Sequence, residues 1–336
     1  MDLINRTPTP AALFSTSVAE DRLMASVVVR ATYRIDGHAL VPDHESPWPV
    51  DGQPIKTEYG DFDGDTPFRR KGTDLFVLGK AYAMPSLGPG RGRVELQVGT
   101  EHAHAIEVFG QRRWVRRGAA LMPSAPAAFD AVALTWANAY GGQCAVDAGA
   151  MGYPPNPKGK GYYLTEAQAD GGELPQLEDP AQPVRGWEDQ PAPVCTAPLG
   201  LDSSMRGLRS ADFDTTAPVP RVLRIRQEFH NNAAPAMLMP RPMEPDAVVR
   251  LRGVRPGEQE LRFRLPGEVF HVQVQLANRA YVFPAQIDLF IVLAEEARVV
   301  VGHRCTFRYR FVPMERRAAV LKSDLAGMKF VRDNTE

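Results

Sequence analysis

Apolar and polar residues alternate with a period of two through the first and last thirds of the chain. Apolar side chains occupy every second position over 94–98 and again over 270–276. Residues 23–35 are rich in β-branched side chains and end at Asp36-Gly37, a pair typical of tight turns. This spacing places alternate side chains on one face of an extended segment, so it predicts half-buried β-strands.

A long antiparallel hairpin is predicted near the end of the chain. One strand covers the apolar run 287–294, Glu295-Glu296 forms a charged turn, and the second strand covers 299–311. Many strands joined by short turns, with very little helix, are typical of all-β domains. The sequence therefore predicts a mostly β fold, either an antiparallel β-sandwich or open barrel-like sheets.

The middle of the chain lacks this periodicity and is crowded with Gly, Pro, Asp and Asn. An irregular stretch of this length is uncommon inside a compact domain and is often functional. We interpret it as an ordered covering segment with one short helix near 165–169. The predicted divisions, expected to form one compact unit, are an N-terminal β region 1–136, an irregular Gly/Pro-rich segment 137–220, a C-terminal β region 221–312, and a short helix and tail 313–336.

Charge and cysteine content narrow the class of protein. The chain has 39 basic and 40 acidic residues, so it lacks the overall positive field of a dedicated nucleic-acid binder. Its start does not resemble a secretory signal, and no run reaches the roughly 20 apolar residues that span a bilayer. Cys144, Cys195 and Cys305 are widely spaced, as expected for three reduced thiols. We expect a cytoplasmic protein without membrane insertion or nucleic-acid partner.

Two stretches have the residue types of metal sites. Asp61 to Asp65 resembles part of a calcium loop, but its Gly comes fourth rather than sixth, which favours a solvated acidic turn. His102 and His104 would share one face of a strand, with Glu107 nearby, and two imidazoles with a carboxylate can hold zinc. No third firm ligand lies close in sequence, so a metal at this pair stays open. No cofactor is predicted.

Patterns for phosphate binding and catalysis are weak. The stretch 152–161 is rich in Gly and Lys, but its prolines remove backbone donors and no Ser or Thr follows Gly-Lys. No G-x-S-x-G elbow of a serine hydrolase occurs. Paired carboxylates of a β-sandwich glycosidase remain an alternative. The carboxylates considered for that chemistry are Glu173, Glu178, Asp179, Asp212 and Asp214.

An ordered series of short motifs resembles a bacterial family long described only as a domain of unknown function. The motifs are Thr73 to Tyr82, Val108 to Trp114, Tyr140-Gly141-Gly142, Asn156 to Tyr162, Leu174 to Pro180, Ala211 to Asp214 and Leu261 to Pro266. Each motif is short, whereas their order over roughly residues 1–310 is specific.

The resemblance implies a function in type VI secretion, where members of the family are regarded as effector adaptors or chaperones. Such a protein would bind the N-terminal region of a toxin effector in the cytoplasm and help load it onto the spike protein of the secretion machine. The family has no accepted catalytic residues, so none is implied here and no enzymatic activity is expected. A purely structural β module is a further alternative.

The middle segment is the expected contact surface for a partner. Its glycines and prolines favour a preformed loop, and its aromatic and Arg residues are of the types enriched at interfaces. The candidates are Tyr140, Gly141, Gly142, Asn156, Pro157, Gly159, Gly161, Tyr162, Arg185, Trp187, Arg206 and Arg209. The same residues could instead only cover the β core, and a partner could bind an exposed strand edge.

Overall fold

The described part of the chain folds mainly into β-sheets. The computed structural model describes residues 1–19, 21–147, 149–200, 203–207, 211–213, 223–225 and 227–325. The sheets are mainly antiparallel, and none in the described residues closes into a barrel. The predicted mostly β fold is confirmed.

The strands and helices follow one another closely along the chain. The first strands are β1 (Asp2–Asn5), β2 (Ala11–Ala19), β3 (Arg22–Asp36), β4 (Ala39–Pro42), β5 (Ile55–Thr57), β6 (Gly60–Phe62), β7 (Thr73–Leu78), β8 (Lys80–Tyr82), β9 (Arg91–Val98), β10 (His102–Phe109), β11 (Trp114–Arg117), β12 (Ala120–Pro123) and β13 (Ala131–Ala133). The middle contains β14 (Tyr140–Gly141), β15 (Gln143–Val146), β16 (Gly149–Gly152), β17 (Lys160–Gly161), α1 (Glu166–Ala169), β18 (Leu177–Glu178), α2 (Ser204–Gly207) and β19 (Ala211–Phe213). The last elements are β20 (Leu223–Ile225), β21 (Leu238–Met239), β22 (Val248–Arg252), β23 (Leu261–Arg264), β24 (Glu268–Leu276), β25 (Arg279–Pro284), β26 (Gln286–Leu293), β27 (Arg298–Arg310) and β28 (Arg317–Leu325). Short 3-10 turns lie at Pro85–Leu87, Trp136–Asn138, Gln227–His230, Pro235–Met237 and Pro256–Glu258.

The largest sheet, which we call the central sheet, has the strand order β2-β3-β27-β26-β7-β21, with β4 paired to β3. The predicted long hairpin is confirmed as β26 and β27, which lie in its middle. β27 also pairs along its whole length with β3. β26 and β7 are parallel neighbours, and both are buried over nearly their full length because both faces of this sheet are covered.

Two smaller sheets cover one face of the central sheet. The five-stranded sheet has the order β18-β10-β9-β22-β23, and the four-stranded sheet has the order β1-β28-β24-β25. Ala31 and Tyr33 of β3 pack in the core of the five-stranded sheet, whereas Val27 and Val29 pack in the core of the four-stranded sheet. Alternate residues of a strand share a face, so the two sheets lie side by side over the same face.

Irregular segments cover the opposite face of the central sheet. Phe76 of β7 meets Phe62 with ring centroids 4.9 Å apart, and Trp48 packs edge-on against Phe62 at 5.5 Å. Cys195 and Ala197 of the irregular middle segment join the same core. The described part of the middle segment is therefore built into the fold rather than being a linker, despite its composition.

The short helix predicted near 165–169 is confirmed as α1. Thr165 precedes its first residue, and the Thr165 hydroxyl accepts a hydrogen bond from the Gln168 backbone N–H at 3.3 Å. This is the N-cap arrangement that satisfies a free donor in the first turn.

The helix predicted in the tail 313–336 is wrong for the part that the structure describes, because residues 317–325 form β28. This strand lies between β1 and β24, where Ala319 and Leu321 are fully buried opposite Val274 and Val272. Pairing on both sides outweighs the helix propensity of a short stretch of Ala and charged residues. Residues 326–336 lie outside the described residues.

The three cysteines are buried and free, as predicted. Burial raises the pKa of both Cys195 and Cys305 to about 12, so these thiols stay protonated and unreactive at neutral pH. Within the described ranges, no helix combines the length and apolar character needed to cross a membrane.

Candidate functional site

The aromatic residues of the middle segment form a small core of their own. Tyr140 and Tyr153 meet edge to face with ring centroids 5.1 Å apart, and Tyr162 lies 5.2 Å from Tyr153. Trp114 of β11 and Leu174 are fully buried in the same cluster. The motifs around Tyr140 and Tyr162 are therefore brought together in space.

Asn156 forms hydrogen bonds with the backbone of several segments around this small core. Its side-chain Nδ2 donates to the carbonyls of Trp136 at 2.8 Å and Tyr140 at 3.0 Å. Its own carbonyl accepts from the Gly142 N–H at 2.9 Å. Gly141 has φ +146°, and a Cβ built there would lie 2.0 Å from the Asn156 carbonyl oxygen. Only glycine can lie this close to the Asn156 carbonyl, which explains the glycine at position 141 of the motif Tyr140-Gly141-Gly142.

Burial separates the candidate residues into two groups. Those inside the fold are Tyr140, Gly141, Gly142, Asn156, Gly161, Tyr162 and Arg206. Gly159 and Trp187 are half-buried, and Pro157 and Arg185 are exposed. Arg209 lies outside the described residues. Most of the candidates therefore build the segment, and only the exposed ones can touch a partner without a rearrangement.

Arg206 does not present its charge to solvent, contrary to the interface role expected of it. The residue is 2% exposed, and its guanidinium is paired with Asp63. Its Nε donates to the Phe229 carbonyl at 3.0 Å, and the cation lies 5.5 Å from the Phe229 ring centroid. Through its ion pair with Asp63, Arg206 thus links α2 of the middle segment to the loop before β7.

A buried ionic cluster, which the sequence did not predict, lies on the central sheet and its covering loop. Its members are Arg30, Asp65, Arg70, Asp74, Asp288 and Arg304, none more than 9% exposed. The Arg304 Nε donates to Asp288 at 2.6 Å, and Asp65 pairs with both Arg30 and Arg304. Three cations and three anions balance, which is the usual condition for burying charge.

The charged groups of the cluster shift one another's pKa values. Burial alone would raise the pKa of Asp288, but the charges of Arg304, Arg70 and Arg30 together lower it below its usual value. Burial dominates at Asp74 and raises its pKa, although Arg70 and hydrogen bonds from Asn231 and Asn232 act against it. Asp288 therefore stays ionised and depends on its arginine partners.

His303, on β27 beside this cluster, should make stability depend on pH. Burial lowers the pKa of His303 to about 3, with Asp288 opposing and Arg30 reinforcing that effect. The unfolded chain binds a proton near its ordinary pKa of 6.5, whereas the native chain does not, so unfolding becomes easier as pH falls. Between pH 6.5 and 5 the expected loss in the free energy of unfolding is about 2 kcal/mol.

Urea unfolding at several pH values measures this loss. His303→Gln should flatten the pH dependence, whereas His44→Gln, at an exposed position, should leave it unchanged. An equally steep pH dependence in His303→Gln would show that other groups cause it. His230 is one such group, because burial first, and Arg70 and Arg206 next, lower its pKa to about 4.

A cleft of about 150 Å³ opens at the border of the ionic cluster. It is lined by Arg69, Arg70, Gly72, Phe283, Pro284, Gln286, Asp288, Arg304, Cys305 and Thr306. Arg69 is exposed and donates to the Gln286 side chain at 3.0 Å. The cleft joins the ionic cluster to the end of β25.

β25 is the outer strand of the four-stranded sheet, and in the described residues it pairs only with β24. Tyr281 is 42% exposed and Val282 is 57% exposed. The Ala285 N–H donates to the Phe270 carbonyl at 2.8 Å, so residues 270 and 285 form a hydrogen-bonded pair. Hydrogen-bonded and non-hydrogen-bonded pairs alternate along an antiparallel ladder. By that alternation, the backbone groups of Ala280 and Val282 point away from β24. This edge can accept another strand.

The family model for an uncharacterized protein conserved in bacteria, DUF2169, matches residues 20–304. The chain belongs to this family. No curated protein and no solved structure matches it. The match confirms the bacterial family of unknown function that the motifs resemble, and it spans both the middle segment and the strands beside the arginine-lined cleft.

The metal-ligand candidates of this DUF2169 protein are not brought together as a site. Glu107 pairs with Arg93 at 3.5 Å, and by alternation it faces away from His102 and His104. Burial lowers the pKa of both histidines. Over the ranges that the structure describes, no group of three His, Cys, Asp or Glu side chains could hold a metal ion.

The acidic stretch 61–65 of the DUF2169 chain is not the solvated turn that was predicted. Asp65 is only 6% exposed and is paired with Arg30 and Arg304, while Asp63 is paired with Arg206. The arginine partners come from distant elements, with Arg30 on β3, Arg304 on β27 and Arg206 on α2. Sequence spacing alone did not reveal those partners.

Two of the five carboxylates considered for glycoside hydrolysis are paired with arginine in this DUF2169 fold. Glu178 is buried and paired with Arg112, and Glu173 lies 3.5 Å from Arg113. Asp214 lies outside the described residues. Pairing with arginine occupies carboxylate oxygen atoms, which suits a structural role.

Proposed function

We propose that this chain is a non-catalytic adaptor that binds a type VI secretion effector in the cytoplasm and helps load it onto the spike protein. The observation that carries the proposal is the exposed, apolar edge of β25, which in the described part of the chain pairs only with β24. The order of the family motifs supports the type of partner, and the preformed middle segment supports a rigid scaffold. Binding of a segment to a sheet edge requires no catalytic group.

The edge of β25 suits an extended segment of the effector's N-terminal region. The outward N–H groups of Ala280 and Val282 can donate to a docked strand, and their carbonyls can accept from it. Tyr281 and Val282 supply apolar contact on the two faces of the strand. Pro284 has no N–H group, so pairing through backbone donors ends there. An exposed apolar edge of this kind is rarely left unprotected in a protein that has no partner for it.

A lysine, or a proline that lacks the backbone N–H donor, in the middle of this edge should strongly weaken effector binding. The partner for the test is a candidate type VI toxin effector from the same bacterium, co-expressed with the tagged chain. Val282→Pro removes an outward donor, and Val282→Lys adds the charge that natural edges use against pairing. We expect the co-purified toxin to fall at least about tenfold, since the loss of roughly 1.4 kcal/mol of binding energy has that effect.

Met122→Lys is the matched control, because Met122 is 48% exposed on β12, away from the proposed edge. The melting temperatures of all three variants should stay close to that of the wild type. In the bacterium, Val282→Lys should stop secretion of that toxin while the spike protein is still secreted. Full toxin recovery with a folded Val282→Lys variant would place the interface elsewhere, with exposed Pro157 and Arg185 as the next candidates.

A carbohydrate-active hydrolase is the second candidate, and one observation favours it. A cleft of about 590 Å³ beside β5 and β6 is lined by the aromatic residues Tyr59 and Trp136 and by Glu58 and Asp61. Aromatic side chains beside carboxylates are a common arrangement around a glycosidic bond. Turnover of any member of a glycan panel, lost in Glu58→Gln or Asp61→Asn, would support the hydrolase and contradict a non-catalytic adaptor.

A further inference from the structure

The cleft of about 150 Å³ lies at the C-terminal end of the proposed docking edge. Phe283 and Pro284 of β25 and Gln286 of β26 form one wall, and Arg69 and Arg70 come from the loop before β7. A segment that follows β25 past Val282 would therefore reach this cleft next. The cleft is a continuation of the docking edge rather than a separate surface.

Arg70 is nearly buried, and in the part of the chain that the structure describes its guanidinium has carboxylate neighbours but no hydrogen-bond acceptor. It is 9% exposed, and among the described residues its closest acidic partner is Asp74 at 4.0 Å. At that distance the pair is an ion pair without a hydrogen bond. A guanidinium carries five N–H donors. None of the Arg70 nitrogens is among the buried atoms of the described chain that lack a partner, so these donors are open to the cleft. The donors of Arg70 border the cleft, where an incoming acceptor could use them.

The charge of the cleft wall favours an anion. Arg69, Arg70 and Arg304 line it, whereas Asp288 is its one lining carboxylate. The Oδ2 atom of Asp288 accepts a hydrogen bond from the Arg304 Nε–H at 2.6 Å. Its Oδ1 atom lies 3.9 Å from the Arg30 guanidinium. The lining residues thus include two more cations than anions. Asp65 and Asp74 behind the wall balance Arg304 and Arg70, so the exposed Arg69 is the cation whose charge no carboxylate of the cluster offsets.

We infer that this cleft binds a carboxylate side chain, Glu or Asp, of the partner segment that docks on β25. The inference rests on the proposed adaptor function. A planar carboxylate matches the fork of a guanidinium and can accept from two arginines at once. The cleft has room for one such group, and its continuity with β25 favours a side chain of a docked strand over a free ion.

Glutamate blocked at both ends by acetyl and methylamide groups is a probe that does not require the effector. Binding is measured by NMR titration of the arginine Nε–H signals, with blocked glutamine as the uncharged control. We expect blocked glutamate to bind at concentrations on the order of millimolar and at least tenfold more tightly than blocked glutamine, because charge-assisted hydrogen bonds are the stronger ones.

Arg69→Gln should weaken binding of blocked glutamate about tenfold, and Arg70→Lys should weaken it while retaining some affinity, since Lys keeps the charge without the fork. Arg250→Gln, at an exposed position on β22, is the matched control and should bind like the wild type. If the Arg70 variant fails to fold, Arg69→Gln alone decides the question.

The results separate this inference from the adaptor function. Equal binding of blocked glutamate and glutamine, or no effect of Arg69→Gln, overturns the inference. Inorganic phosphate that binds at least tenfold more tightly than blocked glutamate at the same arginines also overturns it in favour of a free anion. Unchanged toxin co-purification with Arg69→Gln overturns it and leaves the adaptor intact. Binding of blocked glutamate without any toxin co-purifying with the wild-type chain overturns the adaptor function instead.

Discussion

Replacing Asp288 with asparagine is expected to lower the free energy of unfolding by about 3–5 kcal/mol, the cost of removing one partner from a buried ion pair. Asp288 is 4% exposed and accepts from Arg304 at 2.6 Å, with Arg30 at 3.9 Å. Asparagine retains the shape but not the charge, so two buried guanidinium groups would lose compensation. Equilibrium unfolding in urea at pH 7 measures the effect.

Asp246→Asn is the matched control for this substitution. Asp246 is 3.2 Å from Arg264, and both side chains are largely exposed, so the same change should cost no more than about 1 kcal/mol. The double variant Asp288→Asn with Arg304→Met should be less destabilised than the sum of the two single variants, because the pair is removed together. Equal small costs at Asp288 and Asp246 would contradict the structural role of the ionic cluster.

Gly141→Ala is expected to destabilise the chain by about 3–5 kcal/mol or to prevent folding of the middle segment, because it adds both overpacking and backbone strain. The new Cβ would lie 2.0 Å from the Asn156 carbonyl oxygen, and φ is +146°. The atom in the way is backbone and cannot rotate aside. Loss of the near-ultraviolet circular dichroism of the tyrosine cluster should accompany the loss of stability.

Gly149→Ala separates the clash from the backbone conformation. Gly149 has φ +131°, but a Cβ there would meet nothing within 4 Å. Its cost should be limited to the strain of an unusual φ, about 1 kcal/mol. If Gly141→Ala were tolerated as well as Gly149→Ala, the tight approach of the two motifs would not be needed for folding.

The sequence predicted the strands well where burial alternates or both faces are apolar. The alternation over 270–276 became β24, and the runs 287–294 and 299–311 became β26 and β27. The tail was misassigned because β28 has local helix propensity and becomes a strand only through its neighbours β1 and β24. Local pattern contains no information about such pairing between the two ends of a chain.

The candidate site was predicted less well, for the same reason. The motifs around Tyr140 and Asn156 were singled out for an interface, yet they pack against each other inside the fold. Asp288 is a polar residue within the apolar run 287–294, and its partners Arg304 and Arg30 could not be inferred from spacing. The exposed edge of β25 became evident only from the order of strands in its sheet.

Hydrogen–deuterium exchange on the purified complex with the toxin is the most direct test of the proposed docking edge. The amides of Ala280 and Val282, which point away from β24, should exchange rapidly in the free chain and at least about tenfold more slowly in the complex, as paired strand amides do. Amides of β12, which in the described residues pairs only with β11, should exchange at the same rate in both states. Protection that leaves β25 unchanged and appears on another surface would contradict docking at this edge.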